Sequence, residues 1–208
     1  MKGQKSESLI LLEKISEQVR LVQDLISLIP VSRLEWRPQI LPQSAHNEGH
    51  WEAGGPSNSQ SETTGAEVSG ASKGESSPAE LLRIGDLLGH LLECMAGFCA
   101  VLYSINRQQL AHFEELRGLA VNHFCGIDEA RTRTSEYMSH IEEGFAFLDD
   151  ADLGKLLPTA FVPEGERVLT LLLGNLEHLI NHKYQLFIYL RLLGVPVGTR
   201  ELYRIRGG

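Results

Sequence analysis

Two histidines, His178 and His182, lie four residues apart in the largely apolar stretch LEHLINHKYQL. In an α-helix, four residues advance about 6 Å and return to nearly the same face, so both imidazoles can reach one metal ion. The pair could also belong to a packed helical core, where each imidazole would need a polar partner. The spacing permits a metal site without requiring one.

A third histidine, His90, lies in the middle of the apolar run GDLLGHLLECM. If the two runs form neighbouring helices, His90 can meet the pair, and three imidazoles would leave at least one coordination position open, as in catalytic zinc sites. The alternative is a histidine whose hydrogen bonds are satisfied within the core. Residue types and spacing leave both interpretations open.

Four side chains within about one helical turn of these histidines are candidates for supporting roles: Asp86, Glu93, Cys94 and Gln185. The two carboxylates could orient the His90 imidazole through its second ring nitrogen, or could be solvated. The thiol could be a further ligand or a pocket wall, although a small buried cysteine is commonly a core residue. The amide could support His182, bind substrate, or hydrogen-bond across the helices.

The remaining histidines give no metal motif. His112, His123 and His140 have no partner at helical ligand spacing, so we expect them to be surface or packing residues. His46 and His50 lie in a low-complexity stretch, which would not hold ligands in place. No catalytic acid, base or nucleophile is identified from the sequence.

Composition narrows the class of protein. Acidic residues outnumber basic ones by 27 to 19, giving a formal charge of -8, which argues against a nucleic-acid partner. Three cysteines without a C-x-x-C pair suit a reducing compartment. The N-terminal stretch lacks a signal-peptide core, and no run is expected to span a membrane. These features predict a soluble cytoplasmic protein.

Apolar residues recur at steps of three and four in four segments, the pattern of helices with one buried face. We expect helices from the Ser6 cap to Pro30, from a capping box at Ser77, Pro78 and Glu80 to about Tyr103, from Asp128 to Leu148, and from after Pro163 to Leu193. The connector 106–126 has room for a short helix. No segment shows strand alternation, so the predicted fold is an all-α, antiparallel four-helix bundle.

Between the first two helices, residues 43–77 are rich in Ser, Gly, Glu, Gln, Asn and Thr and have almost no large aliphatic side chains. Such a segment cannot bury enough apolar surface to offset its ordering entropy. We expect a long flexible insertion in a single domain that spans residues 1–208.

Three motifs resemble the DinB-like family of damage-inducible bacterial four-helix-bundle proteins. Trp36, Arg37 and Pro38 resemble the W-R-P that follows the family's first helix, and the GHL around His90 resembles its second-helix histidine motif. The run HLINHKYQLFIYLRLLGVPV resembles its fourth-helix signature. The chain departs from the pattern at Tyr184, where glycine is usual, at Lys183, where arginine is common, and in the long insertion.

The resemblance implies that His90, His178 and His182 bind one divalent metal ion, commonly zinc or nickel, and that the protein forms a homodimer. It further implies transfer chemistry on a low-molecular-weight thiol or another small molecule, or else hydrolysis. The alternative is a non-enzymatic, metal-stabilised bundle that acts as a binding or stress-response protein.

Overall fold

The computed structural model describes residues 6–39 and 81–204, and this part of the chain is mostly helical, as predicted. Its α-helices are α1 (Glu7–Ser27), α2 (Ile84–Ile105), α3 (Ile127–Ala146), α4 (Val168–Leu192) and the short α5 (Thr199–Leu202). Three 3₁₀ helices cover Val31–Arg33, Ala111–Gly118 and Asp152–Gly154. The predicted insertion at 43–77, with His46 and His50, lies outside the described residues.

Helix α1 begins and ends close to the predicted positions. The Ser6 hydroxyl caps it by accepting a hydrogen bond from the Leu9 amide at 3.3 Å. A second cap comes from a distant residue, because the Asp150 carboxylate accepts hydrogen bonds from the Glu7 and Ser8 amides at 3.1 and 2.9 Å. These bonds lower the pKa of Asp150 below its ordinary value and tie α1 to the segment that follows α3.

Helix α2 begins later than the capping box predicted. Residues 81–83 are not helical, and the helix starts at Ile84. Its first amides are satisfied by backbone rather than by a serine side chain, because Ile84 N donates to Trp36 O and Gly85 N to Leu34 O, each at 2.9 Å. The prediction that residues 81–83 are helical was therefore wrong, and the segment after α1 supplies the cap. The predicted capping box at Ser77, Pro78 and Glu80 lies outside the described residues.

The long helices bury a shared core. α2 packs against α3 and α4, and α1 packs against the same two helices from the other side. The largest fully buried side chains include Tyr137, Phe98 and Phe113, from α3, α2 and the 3₁₀ helix at 111–118. All four helices therefore enclose one apolar interior, within a compact unit to which the described residues 6–38 and 82–204 belong.

Helix α2 is more apolar than expected. Its length and apolar composition would suffice to cross a membrane, contrary to the sequence-based expectation, but more than half of its most apolar stretch is buried inside the protein. The core helix of a soluble protein meets the same criteria. The burial therefore agrees with a helix surrounded by protein.

The connector between α2 and α3 packs closely on α2. It contains the 3₁₀ helix at 111–118, and then Asn122 adopts a left-handed conformation with φ of 57°. The Asn122 amide donates to Gly89 O at 3.0 Å. A Cβ at Gly89 would lie 1.8 Å from His123 O, so only glycine allows the loop to approach the helix this closely.

A two-stranded antiparallel hairpin precedes α4, where no strand was predicted. β1 (Leu156–Leu157) pairs with β2 (Glu166–Arg167), and α4 then starts at Val168. The helix ends as predicted, since Gly194 follows it with φ of +78°.

A buried lysine connects α4 to two other helices. Lys183 is 3% exposed, and its ammonium donates to Gln18 Oε1 at 2.7 Å and to Leu202 O at 2.8 Å. Burial lowers the pKa of Lys183. These bonds fasten α1 and the end of α5 to one side of α4.

Candidate metal centre

The imidazoles of His90, His178 and His182 converge between α2 and α4. His90 Nε2 lies 3.3 Å from His178 Nε2. The ring centroid of His182 lies 4.4 Å from that of His90 and 4.7 Å from that of His178. One ligand atom from each ring can be chosen so that all three lie within 4.8 Å of one another. Two helices distant in sequence thus bring together the three predicted residues.

The spacing of these nitrogens suits a tetrahedral metal ion. With zinc–nitrogen bonds of 2.0–2.1 Å, two ligand nitrogens of a tetrahedral site lie about 3.3–3.4 Å apart. The distance of 3.3 Å between His90 Nε2 and His178 Nε2 matches this edge. All three histidines are only partly buried, so further coordination positions can face solvent. The residues therefore fit a divalent ion with an open position.

Partners on Nδ1 set the tautomer of His90. This nitrogen lies 2.7 Å from Glu93 Oε2 and 3.2 Å from Asn122 Oδ1. The Asn122 oxygen can only accept a hydrogen bond, so Nδ1 carries the proton and Nε2 keeps its lone pair. Glu93 Oε2 lies close to Nδ1 without accepting a hydrogen bond, and its carboxylate adds negative charge beside the ring. Asn122 thus orients Nε2 toward the other histidines.

His182 has an equivalent partner on its own helix. Gln185 Nε2 donates to Tyr189 Oη at 2.9 Å, which turns Gln185 Oε1 toward His182 Nδ1 at 3.0 Å. His182 Nδ1 therefore donates, and its Nε2 is left free as a ligand. The Tyr189 ring in turn meets the Trp36 ring edge-on at 5.6 Å between centroids. This chain of contacts runs from the imidazole to the W-R-P segment.

Burial favours the neutral form of two of the imidazoles. Desolvation is the largest cause that lowers the pKa of His178 and of His182, and the nearby His90 lowers both further. A metal ion binds the neutral form of imidazole. The surroundings of this cluster therefore favour the protonation state that a ligand requires.

Two of the sequence candidates lie elsewhere. The Asp86 carboxylate forms a two-point ion pair with Arg83 at 2.7 and 2.9 Å, rather than orienting His90. Cys94 is 1% exposed in the core, and burial raises the pKa of its thiol to about 12. Cys99 and Cys125 are also buried and free, with pKa values raised by burial to about 12. The cysteines are therefore held as thiols rather than as reactive thiolates.

Asn122 is a functional candidate that the sequence did not reveal. It lies 32 residues from His90, outside any helix, and reaches the imidazole only because the connector folds back onto Gly89. In the sequence, Asn122 is an asparagine in a connector and Gly89 is a glycine one residue before His90. Neither fact indicates that Asn122 contacts His90 unless the fold is known.

No protein-family model matches the chain, and no curated protein matches it either. The interpretation of the site therefore depends on its own geometry.

Proposed function

We propose that this protein is a metal-dependent enzyme of the DinB-like type, a four-helix bundle in which His90, His178 and His182 hold one zinc or nickel ion. The observation that carries the proposal is the convergence of three imidazoles from two helices. Two of them have Nδ1 hydrogen-bonded, His90 to Asn122 and His182 to Gln185. Histidines that served only to fill a core would have no reason to point their remaining ring nitrogens toward one another.

When bound, a divalent ion with three neutral imidazoles retains its full positive charge and lowers the pKa of a water or thiol that it binds. The protein's own groups have simpler tasks. The two helices fix the ligand nitrogens, Asn122 holds His90 in one tautomer, and Gln185 does the same for His182. The exposed side of the cluster admits a small molecule.

Between the two reactions implied by the resemblance, thiol transfer fits the site better than hydrolysis. Hydrolysis by metal-bound water is assisted by a positioned group that removes a proton. Glu93, the carboxylate nearest the cluster, lies beside Nδ1 of His90 rather than beside its Nε2. A thiol starts from a pKa of about 8.5, far below the value of about 15.7 for water, so a metal-bound thiol ionises near neutral pH with less help. The thiol must come from outside the chain, because all three cysteines are buried.

The first experiment measures metal content. Wild-type protein and the His178→Ala variant are purified without a metal-affinity column, dialysed extensively, and compared by elemental analysis. We expect about one tightly held ion per chain in the wild type and far less in the variant, because two ligands bind more weakly than three. Glu177→Gln, which alters an exposed neighbour on the same helix, is the control and should retain the metal. Equal and negligible metal in all three proteins would refute the site.

The second experiment measures the reaction. Metal-loaded protein is assayed with glutathione, mycothiol or bacillithiol and a generic electrophile, beside a panel of esters and amides. We expect turnover that depends on one of the thiols and on His178. Turnover of an ester or amide alone would assign hydrolysis instead. Failure of every substrate with a full metal site would favour the alternative, a non-enzymatic protein in which the ion stabilises contact between α2 and α4.

Two further parts of the proposal rest on the sequence: composition and cysteine usage support a cytoplasmic location, and the resemblance supports a homodimer. Sedimentation equilibrium tests the dimer. A molecular mass near the 23.1 kDa of one chain at all concentrations would exclude it.

A further inference from the structure

A second group of potential ligands lies between the 3₁₀ helix at 111–118 and α3, where the sequence predicted only surface or packing histidines. His112 comes from the 3₁₀ helix at 111–118, and His140 and Glu143 come from α3. Glu143 Oε2 lies 3.0 Å from His112 Nε2 and 3.9 Å from His140 Nδ1. One ligand atom from each of the three residues can be chosen within 4.8 Å of the others.

These side chains are held by a buried aromatic ring. Phe113 is 2% exposed, and its ring meets those of His112 and His140 edge-on, with centroid distances of 5.0 and 5.1 Å. His140 and Glu143 are three residues apart on α3 and therefore project from the same face. The cluster thus rests on a helix and on a core residue, which gives it the rigid support that a metal site needs.

The donor set has the chemistry of a known kind of zinc site. Two imidazoles and one carboxylate bind zinc in enzymes that keep the fourth position for water. The side chains of His112, His140 and Glu143 are 46%, 28% and 41% exposed, so an ion can enter from solvent and keep water ligands. The distances from Glu143 Oε2 to the two histidine nitrogens, 3.0 and 3.9 Å, lie on either side of the separation of about 3.3–3.4 Å expected between two ligand atoms of a tetrahedral zinc ion.

A third group, His123, Cys125 and Glu129, is less suited to an ion. The Cys125 thiol is fully buried with a pKa raised to about 12 by burial, and Arg133 already neutralises Glu129 at 3.3 Å. A cation would have to displace both the thiol proton and the guanidinium. The group formed by His112, His140 and Glu143 has neither obstacle.

We propose that His112, His140 and Glu143 form a second, solvent-facing site for a zinc-like divalent cation, separate from the three-histidine centre. The ion would link the 3₁₀ helix at 111–118 to α3. That 3₁₀ helix also lines a cavity of about 560 Å³ against α2, through Phe113, Leu116 and Arg117. Binding of an ion by His112, His140 and Glu143 would therefore fix one wall of this cavity, which is large enough for a small molecule.

The test is a zinc titration of the full chain by calorimetry, with competition by a chelator to resolve tight binding. We expect two classes of site in the wild type, with the second weaker because its ligands are exposed. His112→Ala and Glu143→Gln should weaken the second class at least about tenfold and leave the first unchanged, since losing even a group that only orients a ligand costs about 10–100-fold. Glu142→Gln, an exposed neighbour on α3, is the matched control and should retain both classes.

A double variant, His90→Ala with His178→Ala, separates this proposal from the proposed function. It should lose the first class and keep the second. Hydrogen exchange gives an independent measurement, because zinc should slow exchange of the amides at 111–118 in the wild type but not in Glu143→Gln. A single class in the wild type, a second class that survives both His112→Ala and Glu143→Gln, or one that is lost equally in Glu142→Gln would each overturn the second site. Loss of the second class in His123→Ala alone would move it to the third group.

Discussion

Replacing Gly89 with alanine tests how the connector after α2 holds the candidate metal centre. The added Cβ would lie 1.8 Å from the backbone oxygen of His123, well inside the 3.0 Å that real Cβ contacts keep. Backbone cannot rotate away as a side chain does, so the loop must withdraw. Asn122 would withdraw with it, because its amide bonds to Gly89 O and its side chain contacts His90 Nδ1.

The expected cost follows from three contributions to the free energy of unfolding. Overpacking of this kind costs about 1–3 kcal/mol. The lost hydrogen bond to Gly89 O costs about 0.5–1.5 kcal/mol. Alanine recovers about 0.5–1 kcal/mol through its better helix propensity. We therefore expect Gly89→Ala to lower the stability by about 0.5–4 kcal/mol, with a central value of about 2 kcal/mol. Metal binding should weaken about 10–100-fold because His90 loses a partner that orients it.

Urea denaturation of the metal-free protein and a metal titration measure these two effects. Gly97→Ala on the same helix is the matched control. There the new Cβ would meet Asn175 Oδ1, a side-chain atom, and the amide can rotate away once Asn175 Nδ2 gives up the hydrogen bond that it donates to Leu171 O. We expect this variant to stay within about 1 kcal/mol of the wild type. If Gly89→Ala matched it in both stability and metal affinity, the argument that the loop supports His90 would be wrong.

Three further predictions concern single side chains. Gln185→Ala should weaken metal binding about 10–100-fold by freeing the His182 ring, while Gln109→Ala in an exposed turn should not; a metal titration compares them. Lys183→Met should lower the free energy of unfolding by about 1–3 kcal/mol, measured in urea, because two buried oxygens lose their donor. Asp150→Asn should reduce the fall in melting temperature on acidification. The pKa of Asp150 lies below its ordinary 3.8 in the folded protein, so its stabilisation is complete above 3.8 and is lost as the pH falls through the lower folded value. An unchanged acid dependence would contradict the capping role.

Helical periodicity located the four long helices because each buries one continuous apolar face. In α3, for example, the predicted inner positions Ala130, Thr134, Tyr137 and Ile141 are all buried. Local capping signals were less dependable. Ser6 caps α1 as predicted, whereas α2 takes its cap from the carbonyls of Leu34 and Trp36, which a capping motif read along the chain cannot reveal. The hairpin before α4 has strands of two residues, too short for any alternation to show.

The candidate centre shows the same division between local and distant information. Helical spacing put His178 and His182 on one face and Gln185 beside them, and the structure keeps that arrangement. Meeting His90 required the packing of α2 on α4, which periodicity allows but does not specify. The pairing of His112 with His140 had no signal in the sequence, since it depends on how a 3₁₀ helix lies against α3.

The burial of every cysteine gives the experimenter a practical advantage. Iodoacetamide and similar alkylating reagents attack thiolates that they can reach, and Cys94, Cys99 and Cys125 are neither exposed nor readily ionised in the folded protein. Modification of the native protein should therefore be slow, and consumption of sulfhydryl groups in a reaction mixture will report the added cosubstrate. Rapid labelling after heating or in urea would conversely serve as a direct signal of unfolding.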